Sequence, residues 1–184
     1  MNNQKHYKRG LHTGAFDSIH KKHIEALKTS ASMCDELIVA VSTDEVIKDY
    51  KHHAPSIPFE ERIAIIRELK SVSKAIPQDN LYSKLQMCLE NDIDVLFSCD
   101  EFLRSSYPDP DKMTQKQIAG VERWESFEQQ LNEYGIDVVY LPRDPNFSST
   151  QQKINIAQSI GYQQPQGVML YSEGECVGEE FFNL

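Results

Sequence analysis

The chain has 184 residues, which is enough for one domain with a sizeable hydrophobic core. Its formal net charge of −9 excludes a general nucleic-acid-binding protein, because such a protein needs a basic face. No apolar stretch is long enough to insert into a membrane, and residues 1–6 lack the apolar core of a signal peptide. The four cysteines have no C-x-x-C spacing, so we expect reduced thiols and a cytoplasmic protein.

Short apolar runs alternate along the chain with segments whose apolar residues recur at helical spacing. The runs predict strands at residues 9–13, 37–41, 75–77, 94–98 and 136–141. Helices are expected from His20, from Pro58, around residues 81–89, over residues 118–134 up to Gly135, and from a cap at residues 148–150. Residues 48–58 and 100–114 contain prolines and predict loops.

This alternation predicts an α/β protein with a single Rossmann-like domain, a five-stranded parallel sheet flanked by helices. The domain is expected over residues 1–161, followed by a tail of unassigned structure at residues 162–184. Ligands of such sheets bind beyond the carboxyl ends of the strands. The stretches to inspect are therefore residues 14–23, 42–51, 99–102 and 143–150.

Two histidines follow the glycine at the end of the first predicted strand. His20 and His23 are three residues apart, which puts both rings on one face of the first turn of a helix. The unpaired N–H groups of such a turn attract anions, and two imidazole donors beside them would suit phosphate oxygens. A metal-binding pair and an ordinary surface pair remain alternatives at this point.

Two signatures, in order, carry a resemblance to a known family. Gly14-Ala15-Phe16-Asp17 followed by His20-Lys21-Lys22-His23 resembles the G-T-F-D-x-x-H-x-G-H signature of the cytidylyltransferase-like nucleotidyltransferases. Arg143–Thr150 resembles their second signature, R-T-x-G-I-S-T-T. Residues 37–45 and 59–62 also match, so the resemblance covers roughly Leu11–Ile156 and implies the nucleotidyltransferase fold.

The resemblance implies transfer of CMP from CTP to a phosphorylated small alcohol. Glycerol 3-phosphate is the first expectation for the acceptor, with CDP-glycerol for cell-surface polysaccharide synthesis and pyrophosphate as products. Mg²⁺ is expected on the triphosphate with few protein ligands, and no metal site is expected in the protein itself. A homodimer is implied by the resemblance alone.

The resemblance also implies roles for individual residues. The expected catalytic residues are His20, His23, Lys51 and Arg143. The expected nucleotide-binding residues are Thr13, Gly14, Ala15, Phe16, His20, His23, Arg62, Cys99, Asp100, Glu101, Phe102, Ser148, Ser149 and Thr150. Three of the side chains keep an alternative. Arg62 could simply pair with Glu60 or Glu61, and Asp17 could shape the turn or face the metal. Lys51 could equally belong to an exposed basic run with His52 and His53.

The sequence departs from the family pattern at four places. Ala15 replaces a threonine, Lys22 replaces the glycine of H-x-G-H, Cys99–Phe102 replaces G-x-D-W, and residues 146–150 replace G-I-S-T-T. These changes leave two alternatives open, an adenylyltransferase for a sugar phosphate and a nucleotide-binding regulatory protein without turnover. Whether Lys22 faces the phosphates or the solvent is also open.

Overall fold

Five parallel strands form one sheet in the computed structural model, which describes residues 5–100, 103–107, 109–142 and 159. The strands are β1 (Tyr7–Gly14), β2 (Cys34–Ser42), β3 (Lys74–Gln78), β4 (Val95–Cys99) and β5 (Asp137–Leu141). The helices are α1 (Lys21–Ala31), α2 (Asp44–Lys51), α3 (Phe59–Arg67), α4 (Lys84–Glu90) and α5 (Gln115–Glu133), with 3₁₀ turns at Leu81–Ser83, Arg104–Ser106 and Pro110–Lys112. The predicted fold class, a parallel α/β sheet flanked by helices, is confirmed.

Strand β2 lies in the middle of the hydrophobic core, as its unbroken apolar run predicts. Leu37, Val39 and Val41 pack in one cluster with residues of α1 and α3. Ile38 and Ala40 point to the other face and pack in a second cluster with residues of α4 and α5. Burial on both faces is what a parallel sheet with helices on each side requires, and it explains why no polar residue interrupts the run.

The long helix α5 packs through one apolar stripe. Val121, Trp124, Phe127 and Leu131 are buried at helical spacing. Gly135 follows the helix with φ of 74°, the left-handed conformation that favours glycine at a helix end. Tyr134, the last residue of the predicted helix, lies just after α5, and its exposed fraction is 59%.

The predicted loop over residues 48–58 is wrong in its first part, because Lys48–Lys51 belong to helix α2. Thr43 caps this helix by accepting a hydrogen bond from the Val46 N–H at 3.4 Å. Its buried residues are Val46, Ile47 and Tyr50, a stripe too short to stand out from the polar residues around it. The carboxyl end of α2 therefore brings Lys51 to the edge of the sheet on a helix rather than on a loop.

The strand order β3-β2-β1-β4-β5 fixes where a ligand can bind. The chain runs outward from β1 through β2 to β3 and then returns to the other side of β1 with β4. Such a reversal opens a crevice at the carboxyl ends of the two central strands. Gly14 ends β1 and Cys99 ends β4, so the crevice lies between two of the stretches selected from the sequence.

In the part of the chain that the structure describes, no helix combines the length and apolar character needed to cross a membrane. The predicted last helix at residues 148–160 and the tail at residues 162–184 lie outside the described residues, apart from residue 159.

Candidate active site

A tight turn follows β1 and brings Phe16 back over Gly14. Phe16 is buried and has φ of 51°, a left-handed conformation that is costly for an aromatic residue and that the surrounding packing must hold. A Cβ atom built on Gly14 would lie 3.0 Å from the Phe16 ring. Glycine at this position therefore allows the close approach of the ring to the backbone.

The Phe16 ring also contacts His23, so the turn orients a histidine of the candidate site. The two ring centroids are 5.5 Å apart and the rings meet edge to face. We expect Gly14→Ala to displace the Phe16 ring and with it His23, and to lower kcat/KM by about tenfold. Gly120→Ala is the matched control, since a Cβ there meets nothing within 4 Å and alanine favours the helix. Equal activity of the two variants would contradict this role of Gly14.

His20 and His23 come together at the start of α1, as the spacing predicts. Their rings are stacked with centroids 3.9 Å apart and an angle of 28° between the planes. His20 is the residue before the first helical turn, and His23 is the third residue of that turn. Both side chains thus stand at the start of the helix, where the first-turn N–H groups favour an anion.

Both imidazoles are neutral near pH 7. Desolvation is the main cause that lowers the pKa of His23 to about 4, and the charges that His20 and His12 carry when protonated and the ammonium group of Lys51 add to it. Desolvation also lowers the pKa of His20. The backbone N–H of His20 donates a long hydrogen bond of 3.4 Å to Nδ1 of His23, which puts the proton of the neutral ring on Nε2. The Nε2–H group is then the hydrogen-bond donor of the His23 ring.

A third histidine, His12, lies next to this pair and was missed in the sequence. It stands on β1, and Nδ1 lies 3.2 Å from the Ser30 hydroxyl of α1. Its ring centroid is 6.4 Å from that of Phe16, and burial lowers its pKa to about 4. The sequence does contain a signal for its position. Alternate residues of a strand lie on the same face, so His12 lies on the same face of β1 as Gly14.

The lowered pKa values of His12 and His23 predict a loss of stability in acid. The unfolded chain binds protons on both rings below about pH 6.5, whereas the folded protein binds them only near pH 4. The free energy of unfolding should therefore fall as the pH is lowered from about 6.5 to about 4. His12→Asn should flatten this fall in thermal melts, whereas Gly120→Ala, which changes no titratable group, should leave it unchanged. Parallel curves of melting temperature against pH for the wild type and both variants would refute the lowered pKa of His12.

Lys51 lies close enough to His23 to lower its pKa. Its Nζ is 5.4 Å from the centroid of the Tyr50 ring, and the side chain is half-buried at the end of α2. Lys22 is different, since its Nζ lies 3.2 Å from Glu25 on the same helix and its side chain is 42% exposed. This geometry supports the solvent-facing alternative for Lys22.

Asp17 and Arg62 connect the turn after β1 to more distant parts of the chain. One carboxylate oxygen of Asp17 accepts hydrogen bonds from the backbone N–H groups of Ser56 and Ile57, at 2.5 and 3.0 Å. Of its two alternatives, Asp17 thus takes the turn-shaping one. Arg62 was expected to bind the base or the phosphates, but its side chain is fully buried and donates to four protein oxygens. These bonds tie the guanidinium to the protein itself, and its contact with the nucleotide stays a prediction.

Across the crevice, β4 ends at the half-buried Cys99, with Asp100 directly after it. Cys34 and Cys88 are buried, and the described cysteines carry free thiols. The remaining predicted site residues lie outside the described residues and stay predictions: Glu101, Phe102, Arg143, Ser148, Ser149 and Thr150. Within the described ranges, no cluster of three or more histidine, cysteine or acidic side chains could hold a metal ion.

The chain is similar to known proteins over most of its length. The model of the cytidylyltransferase-like family matches residues 11–155, a range that contains every predicted site residue. The chain belongs to the cytidylyltransferase-like family. Membership supports nucleotidyltransferase activity.

Individual relatives and one solved structure are also similar to this chain. Two glycerol-3-phosphate cytidylyltransferases, from Bacillus subtilis (strain 168) and Bacillus spizizenii (strain ATCC 23059 / NRRL B-14472 / W23), are each 30% identical to the chain. The similarity extends over 144 and 146 residues, in both cases 78% of this chain and 93% of the relative. The lipopolysaccharide core biosynthesis protein from Thermoplasma volcanium GSS1 is 26% identical, with a TM-score of 0.53 over 74% of this chain and 96% of that one.

Proposed function

We propose that the protein transfers CMP from CTP to glycerol 3-phosphate, giving CDP-glycerol and pyrophosphate. The observation that carries the proposal is the stacked pair His20 and His23 at the start of α1, at the carboxyl end of the central strand. The names of the two Bacillus relatives support CTP and glycerol 3-phosphate as the substrates.

The reaction brings two anions together, so the protein has to place hydrogen-bond donors and cations where charge develops. An oxygen of the acceptor phosphate forms a bond to the α-phosphorus of CTP, and the bond to the departing pyrophosphate breaks. Neutral His23 donates from Nε2 to a phosphate oxygen, and His20 donates beside it. The ammonium group of Lys51 adds a positive charge on the same side. These groups stabilise the crowded transition state without a covalent intermediate.

Mg²⁺ is proposed to arrive with the triphosphate rather than on a site in the protein. The two carboxylates next to the turn are engaged with protein donors: Asp17 with the N–H groups of Ser56 and Ile57, and Asp44 with Arg62. Phosphate and water oxygens, which Mg²⁺ prefers to keep, would supply its ligands. When bound, the ion would neutralise charge on the leaving pyrophosphate.

The proposal is tested with purified protein, CTP and glycerol 3-phosphate. Pyrophosphate release is followed continuously and the product mass is determined after separation. We expect CDP-glycerol and pyrophosphate in equal amounts. Absence of turnover with every triphosphate and acceptor tried would refute the proposed transferase activity and favour a regulatory nucleotide-binding protein.

A second candidate, an adenylyltransferase for a sugar phosphate, is favoured by the cysteine at the end of β4. Cys99 puts a side chain where the family has a glycine, next to the crevice that would hold the base. Melting temperatures measured with CTP and with ATP separate the two candidates, because the preferred triphosphate stabilises the protein more. A larger shift with ATP, together with turnover of a heptose phosphate, would replace the first proposal.

The proposal includes a homodimer in the cytoplasm. The buried free thiols of Cys34 and Cys88 are compatible with a reducing compartment. Light scattering during size-exclusion chromatography measures the mass directly, and a mass near that of one chain would refute the dimer.

A further inference from the structure

Arg62 joins three separate segments around the candidate site. Its Nε donates to the Ile57 carbonyl at 2.8 Å, just before α3. Its Nη1 donates to the carbonyl of Ala15, in the turn after β1, and to that of Ser42 at 2.7 Å, at the end of β2. The guanidinium is planar and its donors are fixed in a fork, so one side chain holds these oxygens in a defined arrangement.

The fourth acceptor of Arg62 lies on the helix that carries Lys51. Nη2 donates to Oδ1 of Asp44, the first residue of α2, at 2.7 Å. The Arg62 side chain has no solvent exposure and that of Asp44 is 28% exposed. Such a charge-assisted bond is stronger than one between neutral groups and is screened little by water.

The other end of α2 lies near the same side chains, because Ala15 of the turn packs against the cluster of Val46, Ile47 and Tyr50. Tyr50 is buried, and its pKa is affected by the charges of both Arg62 and Asp17. Lys51 is the next residue and the last of the helix. Both ends of this eight-residue helix are therefore tied to the group of side chains that holds the phosphate-binding turn.

We propose that Arg62 and Asp44 are positioning residues that set Lys51 relative to the turn Gly14–Phe16. The inference rests on the proposed function, because it assumes that Lys51 acts on the triphosphate. This role differs from a merely structural one in a single respect. Changing Asp44 should lower activity only when Lys51 is present, because Asp44 acts by positioning that lysine. An ion pair that only stabilised the fold would act equally with and without that lysine.

The test is a double-mutant cycle between Asp44→Ala and Lys51→Ala, read as kcat/KM. Asp44→Ala should lower kcat/KM by about tenfold or more, the effect of losing one buried charge-assisted hydrogen bond. In the Lys51→Ala background the same change should cost less than about threefold. Asp44→Asn keeps an acceptor for Nη2 and should restore most of the activity. Glu45→Ala removes the exposed acid next to Asp44 in the same helical turn and should stay near the wild-type value.

Hydrogen–deuterium exchange of the ligand-free protein provides a readout that needs no substrate. Asp44→Ala should speed exchange in residues 47–51, and Glu45→Ala should not. Equal fold-losses in both backgrounds of the cycle, or unchanged exchange in α2, would overturn the inference. If the wild-type protein has no turnover, the proposed function fails, and the exchange comparison alone then decides whether Asp44 holds α2.

Discussion

Replacing His23 with alanine is expected to lower kcat with CTP and glycerol 3-phosphate by about 10³-fold. The change removes the Nε2 donor, which the backbone N–H of His20 directs by occupying Nδ1. It also removes the ring on which His20 stacks, so the second donor loses its support. KM for CTP should change less than kcat, because a donor aimed at developing charge acts mainly in the transition state.

The controls for this experiment come from the same chain. His6→Ala changes an exposed histidine near the amino end of β1 and should leave kcat within about twofold. His23→Asn keeps a short polar donor and should retain more activity than alanine. A His23→Ala enzyme with kcat within about tenfold of wild type would exclude a direct role for this ring in transition-state stabilisation.

The sheet could be predicted because burial leaves a simple pattern in the sequence. Residues 37–41 are apolar without interruption since both faces of β2 are covered, and Gly135 marks the end of α5 by its left-handed conformation. Helix α2 was missed because it is short and buries only three residues, so its helical period is lost among polar side chains. Its position depends on contacts with Arg62 and with Ala15 of the turn, which are distant in sequence.

The part of the candidate site that lies within one helical turn could be predicted from the sequence. The i, i+3 spacing of His20 and His23 leads directly to the stacked rings, since both belong to one helical turn. The four protein acceptors of Arg62 could not be predicted, because an arginine near anionic ligands and an arginine that binds backbone carbonyls look alike in sequence. Only the burial of its side chain and the identity of its four acceptors separate the two roles.

Replacing Arg62 with methionine is expected to lower the free energy of unfolding by about 3–5 kcal/mol. Methionine has a similar length but no donors, so it leaves the partly buried charge of Asp44 and the carbonyls of Ala15, Ser42 and Ile57 without their partner. Urea unfolding followed by circular dichroism measures the change. Arg67→Met is the matched control, because Arg67 is exposed in the last turn of the same helix and should contribute less than about 0.5 kcal/mol.

The double variant Arg62→Met with Asp44→Leu separates the two contributions to this loss. Removing the carboxylate as well takes away the unpaired charge, so part of the stability should return while the three carbonyls stay unsatisfied. A loss below about 1 kcal/mol in Arg62→Met would mean that water replaces the guanidinium at little cost. In that case the buried guanidinium of Arg62 would not hold the turn, α2 and α3 together, and the positioning of Lys51 would need another explanation.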